Sequence, residues 1–397
     1  MFLSLFKRKA KVKYSAVINI GSNIISIALV EYNNQNNNSK ILAYNKKELA
    51  TLKNGDFNFF IKNFFNDLEK TVKIVKKENN YNLDRIDCFL PSFLTVSESH
   101  LTLNSSQDGF YVNRKILEDI SKRVAEKVLS REPLIFPNII GDRNIIIEKK
   151  ITDIKINGYN HPISFRKQKI NKLELYQYLS LSSQTLVNKI KELVKELDNK
   201  AHIFFHTFPP VISAVLPDLL ISFKKGFVAL DITGGTTDLS FVKDNNIINI
   251  ISLPKGKDYL IKELSIKTGL SILDTISELR SLKEGRLEKN RASEIKKICL
   301  NIGLNWLNDI YSAFDSAMAD MIIPEKMVLI GNDIGDKIFI DFLALGDFKK
   351  YILGDSQPEI IFMDNNFGDD FLDKNPSVKI KDIQIPLEIY FIKKLLN

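Results

Sequence analysis

The chain has 397 residues, 44% hydrophobic and 26% charged, which excludes a disordered chain and allows two or more domains. Every apolar run is shorter than the roughly 20 residues that a membrane-spanning helix needs. The net charge of +8 is spread along the chain instead of forming a basic stripe, so no nucleic-acid partner is predicted. The two cysteines, Cys88 and Cys299, lie in apolar surroundings, which excludes a disulfide framework and favours a reducing cytoplasm.

The first 13 residues form an apolar and basic leader. Phe2, Leu3, Leu5 and Phe6 precede a cluster of five cations between Lys7 and Lys13. Apolar side chains followed by cations are typical of a segment that rests on an anionic membrane surface. The alternative is a solvated leader before the first strand.

Residues 14–91 are predicted to form the first half of an α/β fold. Strands are predicted over 14–20, 24–32, 39–46 and 86–90, with an amphipathic helix over 57–78. The first two strands are joined by a turn of Gly21, Ser22 and Asn23, and Asn19 lies near the end of the first strand.

Residues 92–176 are predicted to be a small α+β insert of strand, helix, strand and strand. The predicted elements lie at about 94–103, 113–130, 144–157 and 169–180. A return helix begins near Ser183, a favourable N-cap, and residues 177–350 are assigned with it to the second half. Residues 351–397 are assigned to a C-terminal tail.

The most informative stretch is GFVALDITGGTTDLSFV at residues 226–242, which predicts strand, tight turn and strand. Gly234 and Gly235 allow a ligand to approach the main chain, and Thr236 and Thr237 add hydroxyl groups to the same concavity. Successive N–H groups in such a turn suit phosphate oxygens. Asp231, at the end of an apolar strand, suits a hydrated divalent cation. The alternative is an ordinary β-hairpin with an acidic strand end.

The two hairpins, followed by the apolar strand 327–330 that ends at Gly331, form a specific constellation. It resembles the actin, hexokinase and chaperone ATPase superfamily. The resemblance implies an α/β, actin-like ATPase fold of two RNase-H-like halves, with ATP and Mg²⁺ held between them. The position of the insert narrows the resemblance to the FtsA and PilM group, over about residues 14–345.

The resemblance also assigns roles to single residues. Gly21, Ser22, Asn23, Gly234, Gly235, Thr236, Thr237, Gly256, Glu278 and Gly331 would contact the nucleotide, with Glu278 at its sugar. Asp231 would be catalytic and, with Asn19, would hold the metal. Asn19 replaces the aspartate of the family pattern, and this loss of charge predicts weak ATP hydrolysis. Further departures from the pattern are Thr233, Lys257, Ser281 and Asn332-Asp333.

Three functions follow from the resemblance. The first is an FtsA-like adaptor that assembles into filaments or dimers and links an FtsZ-like tubulin homologue to the inner face of the cell membrane. The second is a PilM-like cytoplasmic scaffold of a type IV pilus machine, which binds a peptide of an inner-membrane protein. The third is a small-molecule kinase. The segment Ile385–Leu396 bears on the choice, since it is apolar enough for an amphipathic membrane helix, but Pro386 and its β-branched residues equally suit a strand or a packed tail.

Overall fold

The computed structural model describes residues 13–33, 38–49, 57–131, 133, 135, 142–161, 167–318, 322–331, 337–352, 356–364, 367, 373–374 and 378–396. Within these ranges the strands are β1 (Tyr14–Ile20), β2 (Ile24–Asn33), β3 (Asn38–Glu48), β4 (Arg85–Leu90), β5 (Thr95–Val112), β6 (Asn144–Ile156), β7 (Tyr159–Asn160), β8 (Gln168–Ser183), β9 (His202–Thr207), β10 (Gly226–Ile232), β11 (Thr237–Lys243), β12 (Asn246–Leu253), β13 (Lys326–Ile330), β14 (Glu359–Met363) and β15 (Asp373–Lys374). The helices are α1 (Phe57–Glu78), α2 (Arg114–Arg131), α3 (Gln184–Val194), α4 (Phe208–Leu219), α5 (Lys257–Thr268), α6 (Ile272–Lys283), α7 (Lys289–Ala317), α8 (Lys337–Ala344) and α9 (Gln384–Leu396).

Two central sheets repeat one strand pattern. The first sheet has the order β15-β3-β2-β1-β4-β9, and the second has the order β12-β11-β10-β13-β14. In each, an antiparallel hairpin, β1–β2 or β10–β11, is extended by a third antiparallel strand on one side. Two strands that run parallel to the first hairpin strand follow on the other side. The same topology in both halves confirms the predicted α/β fold of two related halves.

Helices α4 and α9 lie between the two sheets. One face of the first sheet, including Val17, packs with α4 and α9 in a core that also contains Ala229 of the second sheet. The opposite face, including Ile18, packs against α1 and α3. Neighbouring residues of a strand point to opposite faces, so β1 serves both cores. The outer face of the second sheet packs against α5, α7 and α8.

Helix α9 lies inside the molecule, and most of its side chains are apolar. Ile385, Leu387, Ile389, Phe391 and Ile392 are fully buried, and burying an aliphatic or aromatic side chain contributes about 1.5–3 kcal/mol. Pro386 is tolerated because it lies in the first turn, where its missing N–H would have no intrahelical partner. Of the alternatives open for this segment, the structure therefore shows a packed helix, neither a strand nor a free amphipathic one.

The insert is a four-stranded antiparallel sheet, β5-β8-β6-β7, covered by α2. Its order of strand, helix and strands agrees with the prediction, with the two-residue β7 as an addition. It is bonded to the first half through buried groups, because Tyr178 Oη lies 2.5 Å from Thr207 Oγ1 and Glu148 Oε2 accepts from Thr207 Oγ1 at 2.8 Å.

The predicted segment boundaries differ from this arrangement in two places. Helix α3 does begin after Ser183, whose side chain accepts from Leu186 N. However, α3 and β9 pack in the first half, whereas the prediction assigned them to the second. The predicted tail contains β14 of the second sheet and helix α9. Both differences arise because the chain crosses between the halves twice, which local patterns do not reveal. The leader up to residue 12 lies outside the described residues.

No helix among the described residues is both long and apolar enough to cross a membrane.

Candidate functional site

The second hairpin is held by backbone contacts at the start of α5. Thr233 N donates to Thr236 O at 2.9 Å, and Lys257 N donates to Thr233 O at 3.0 Å. Gly256, the N-cap of α5, lies so close that a Cβ there would be 2.4 Å from Thr233 O. Only glycine fits this position, so the predicted residue Gly256 shapes the turn that carries residues 234–235.

The first hairpin is equally tight. Gly21 N donates to Ile24 O at 2.8 Å, and a Cβ on Gly21 would be 2.7 Å from Ile24 Cγ2. Asn19 is 4% exposed and Ser22 is 8% exposed. The turn therefore directs these two polar side chains inward, toward the second half.

The tips of the two hairpins meet. Gly235 N donates to Ser22 Oγ at 3.0 Å. A Cβ on Gly234 would lie 3.0 Å from Ser22 Oγ and 3.1 Å from Asn23 Cβ. The predicted phosphate-binding residues of both halves are thus brought together, but an N–H group predicted to bind phosphate is bonded to Ser22. Phosphate oxygens can reach it only if the tips separate.

Helix α9 connects the two predicted metal residues through an amide. Asn19 Nδ2 donates to Gln384 Oε1 at 2.6 Å, and Gln384 Nε2 donates to both carboxylate oxygens of Asp231 at 3.0 and 2.9 Å. The first residue of α9 thereby bridges β1 and β10, one strand from each half. In this arrangement a side chain of the protein joins the groups that a cation was predicted to join.

Asp382, two residues before Gln384, connects the start of α9 to the first half. Its carboxylate accepts from Ser26 Oγ at 2.9 Å, from Asn19 Nδ2 at 3.2 Å and from Gln384 N at 3.1 Å. Burial raises the pKa of Asp382, against the effect of the hydrogen bond from Ser26. These bonds fix the start of α9 against β1 and β2.

A cavity of about 260 Å³, here called the cleft cavity, lies beside the bridge and is lined by both halves, the insert, α4 and α9. Its lining includes Asn19 and the carboxyl groups of Asp231, Asp238 and Glu388. Burial raises the pKa of Asp238. Burial raises the pKa of Glu388 well above its ordinary value, and the neighbouring charges of Asp382 and Asp231 add to the effect. The cleft cavity is an acidic chamber at the carboxyl ends of β1 and β10.

Other predicted site residues have structural partners. Thr237 is fully buried, donates to Lys255 O at 2.7 Å and accepts from Trp306 Nε1 at 3.0 Å. Glu278 accepts two bonds from the guanidinium of Arg291, at 2.5 and 2.9 Å.

Two more predicted residues lie at the edges of the site. Gly331 N donates to Met363 O at 3.1 Å, and the chain directly after Gly331 lies outside the described residues. Thr236 Oγ1 lies 3.1 Å from Ser92 Oγ at the start of the insert. Of the predicted residues, therefore, Asn19, Gly21 and Asp231 line the cleft cavity.

A second buried polar group, here called the charge cluster, joins the first half to the insert. It consists of Arg85, Asp87, Glu148, Lys150 and His206. His206 Nε2 lies 2.8 Å from Asp87 Oδ1, and His206 Nδ1 lies 3.3 Å from Glu148 Oε1. Arg85 donates two bonds of 2.6 Å to Asp87, and Lys150 forms an ion pair with Glu148.

Charge compensation outweighs desolvation at the two carboxylates of this cluster, whereas burial lowers the pKa of Lys150. Burial would raise the pKa of Glu148, but the charge of Lys150 and the hydrogen bond from His206 lower it to about 2. Burial would likewise raise the pKa of Asp87, but the charge of Arg85 and the hydrogen bond from His206 lower it. The charge cluster is therefore a buried network of compensated ions.

The residues at the cleft fit a hydrated cation rather than a directly bound one. Among the described residues no three His, Cys, Asp or Glu side chains are grouped so that they could hold a metal ion. A carboxylate has about four acceptor positions, so Asp231 can hold the Gln384 amide and water molecules together. Magnesium commonly keeps several waters and uses one or two carboxylates.

Sequence reasoning missed Asp382, Gln384 and Glu388. Gln384 and Glu388 are four residues apart and so lie on one face of α9, in an otherwise apolar segment. Two polar residues at this spacing in a buried helix were the available signal. The side-chain partners of Gln384 lie 153 or more residues away, so no local pattern could identify them.

No family model and no curated protein matches the chain. Solved structures do match. The structure of a PilM–PilN type IV pilus biogenesis complex is 12% identical, covers 96% of this chain and 97% of its own, and has a TM-score of 0.61. The ethanolamine utilization protein EutJ from Carboxydothermus hydrogenoformans is 11% identical over 89% of this chain and 86% of its own, with a TM-score of 0.43.

At these identities the likeness shows the fold alone. Three features of the structure agree with this fold. They are the repeated strand order, the helices between the sheets and the meeting of the two glycine hairpins. The chain has the actin-like ATPase fold.

Proposed function

We propose that this protein is a PilM-like scaffold of a membrane-associated assembly machine, which binds a segment of an inner-membrane partner protein. The observation that carries the proposal is the TM-score of 0.61 over 96% of this chain and 97% of the PilM structure. An overlap of this extent includes the insert as well as both halves. The sequence favoured an FtsA-like division adaptor first, and the proposal reverses that order.

The position of α9 supports the reversal. The FtsA resemblance implies an amphipathic helix near the C-terminus that is available to the membrane. In this protein the apolar side chains of Ile385–Ile392 are in the core, and Lys394 donates to Ala214 O and to Asp218 Oδ2, both at 2.6 Å. Withdrawing α9 to reach a membrane would expose the core between the sheets.

The proposed scaffold binds ATP with Mg²⁺ between the hairpins and hydrolyses it slowly or not at all. Asp231 is the carboxylate for the cation, and Gly21, Ser22, Asn23, Gly234, Gly235 and Thr236 are the proposed phosphate contacts. Asn19 carries no charge, and in the closed cleft the amide of Gln384 donates to the carboxylate of Asp231. Nucleotide binding then acts by separating the hairpin tips, so it sets a conformation. Self-association into dimers or filaments stays part of the proposal.

Binding of a fluorescent ATP analogue tests the nucleotide assignment. Asp231→Ala and Gly235→Val should each abolish binding, whereas Asp341→Ala, at an exposed position on α8, should leave it unchanged. A Cβ on Gly235 has nothing nearer than Ser22 Cβ at 3.8 Å, so valine should fill the phosphate position without disrupting the fold. Binding by both variants at the affinity of the parent would show that the site is assigned wrongly.

Depletion of the protein in its own host cell tests the scaffold assignment. Cells that lose surface pili or secretion but divide at normal length would support it. Cells that grow into undivided filaments while keeping their pili would overturn it and support the FtsA-like alternative.

A further inference from the structure

Glu388 is a buried acid with one carboxyl oxygen that lacks a hydrogen-bond partner in the described part of the chain. It is 1% exposed, and its Oε2 has no hydrogen-bond partner among the described residues. Burying an ionised carboxylate without compensation is costly, and an unpaired buried polar group in a native protein calls for an explanation. Glu388 lines the cleft cavity, so a ligand in that cavity is the direct explanation.

A second unpaired group lines the same cavity. Ser240 is 1% exposed, and its Oγ has no hydrogen-bond partner among the described residues. Ser240 belongs to β11 of the second half, whereas Glu388 belongs to α9. Two separate elements thus present unmatched polar atoms to one space, which indicates a site for a polar ligand.

The charge of the cleft cavity selects the kind of ligand. Asp231, Asp238 and Glu388 line it, and none of the described residues that line it is basic. An anion would meet three carboxyl groups there and no basic side chain among the described lining residues. A cation would relieve the mutual repulsion of the carboxylates, so the cavity suits a positive ligand.

The size of the cleft cavity suits a hydrated ion. One water molecule needs about 10–15 Å³ of the space open to a water-sized sphere, and the cavity offers about 260 Å³ of it, so an ion with six waters fits. Because the described carboxyl groups do not form a direct metal cage, the ion would be held through its water shell, as Mg²⁺ commonly is.

We propose that Glu388 supplies the second carboxylate of a hydrated divalent-cation site in the cleft cavity, in place of the charge that Asn19 lacks. The proposal rests on the proposed function in so far as this is the site assigned to the magnesium of the nucleotide. It goes further, because the site is assembled by α9 and so exists without nucleotide. Asp231 and Asp238 face the ion from the second half, and Ser240 accepts or donates a bond to its water shell.

Mn²⁺ binding to the nucleotide-free full chain, followed by electron paramagnetic resonance, tests the proposal. The parent protein should bind Mn²⁺ in competition with Mg²⁺. Glu388→Gln should weaken Mn²⁺ binding by about tenfold or more, since loss of a group that orients a metal's ligands commonly weakens binding by about 10- to 100-fold. Glu126→Gln, a control on α2 with a side chain 62% exposed, should bind as the parent does.

Mg²⁺ titration of thermal unfolding gives a second readout. Mg²⁺ should raise the unfolding temperature of the parent and of Glu126→Gln, and at the same concentrations it should raise that of Glu388→Gln much less. The variant's own cooperative unfolding shows that it is folded. Absence of Mn²⁺ binding to the parent, or equal binding to parent and Glu388→Gln, would overturn the proposal.

The same samples separate this proposal from that of nucleotide binding. Gly235→Val should keep Mn²⁺ binding while losing the ATP analogue. Binding of Mn²⁺ but not of ATP by the parent would refute the nucleotide assignment alone. Binding of ATP with no Mn²⁺ site in its absence would refute the assignment of Glu388 alone.

Discussion

The charge cluster and the cleft cavity are both buried polar regions, but only one is internally compensated. In the charge cluster both carboxylates have cationic and hydrogen-bonding partners, and the pKa of each is lowered although burial opposes this. In the cleft cavity Glu388 Oε2 has no hydrogen-bond partner among the residues that the structure describes, and the pKa of Glu388 is raised. The two regions are close, since Lys150 Nζ of the cluster lies 4.3 Å from the ring centre of Phe391 on α9.

Under the proposal above, the difference separates a structural role from a functional one. Compensated ions hold the insert to the first half. An uncompensated acid such as Glu388 weakens the empty protein and, under the proposal above, leaves binding energy for a cation. Local sequence alone does not distinguish them, because both contain Asp or Glu residues within apolar strands or helices.

The largest expected effect is on the charge cluster. Asp87→Asn should lower the free energy of unfolding by about 3–5 kcal/mol, because Arg85 and His206 lose the carboxylate that compensates them. Urea unfolding measures the change, with Asp341→Asn on α8 as an exposed control. A loss no greater than that of the control would mean that the cluster is not structural.

Acid should remove the contribution of Glu148. Its pKa is about 2 in the folded protein and 4.5 without perturbation, so its stabilisation is complete above pH 4.5 and is lost as the pH falls toward 2. A shift of this size corresponds to on the order of 3 kcal/mol. The difference in unfolding free energy between the parent and Glu148→Gln should therefore shrink below pH 4.5. A difference that stays constant from pH 6 to pH 3 would contradict the assignment.

Asn19→Asp should weaken the bridge, although it restores the acid of the family pattern. A carboxylate at this position loses the two donated bonds and faces Asp382 and the oxygen of Gln384. The expected loss is about 1–3 kcal/mol in unfolding free energy without metal. Mg²⁺ should recover part of it. A variant as stable as the parent in EDTA would show that the bridge contributes little.

The smallest effect is a gain. In EDTA at pH 8, Glu388→Gln should raise the free energy of unfolding by about 1–2 kcal/mol, because a neutral amide replaces an uncompensated acid. The folded pKa is above the unfolded one, so ionisation destabilises the parent increasingly as the pH rises above about 4.5. The gain should therefore vanish at pH 4, the opposite trend to that of Glu148. An equal gain in unfolding free energy at pH 4 and pH 8 would show that ionisation of Glu388 does not destabilise the protein, and the contrast with Glu148 would fail.

Local patterns were sufficient for the hairpins and the insert. The predicted strands 14–20 and 24–32 agree with β1 and β2, and the helix predicted over 113–130 agrees with α2 at Arg114–Arg131. Alternating or helical periodicity and turn residues determine such elements over a few residues. The two glycine turns were recognised for the same reason, and the structure brings their tips together.

The bridge and the cleft cavity depend on contacts that local patterns do not contain. Asn19 was expected beside a metal, and it is bonded to Gln384 of a helix whose strand-like composition concealed it. Thr237 was expected to bind phosphate because of its place in the turn, but its side chain lies on the core face beside Trp306. In each case the partner comes from another part of the chain, and it decides the role of the side chain.

The place of α9 also sets the order in which the molecule is completed during its synthesis. Asn19 is translated 365 residues before Gln384, and both glycine hairpins leave the ribosome long before the helix that joins them. Until then the apolar surfaces around Val17 and Ala229, which α4 and α9 cover in the finished protein, lack one of their covering helices. Contacts between distant parts of a chain form slowly and leave apolar surface exposed to aggregation. The nascent protein is therefore expected to depend on chaperones until residues 384–396 have been made and have packed.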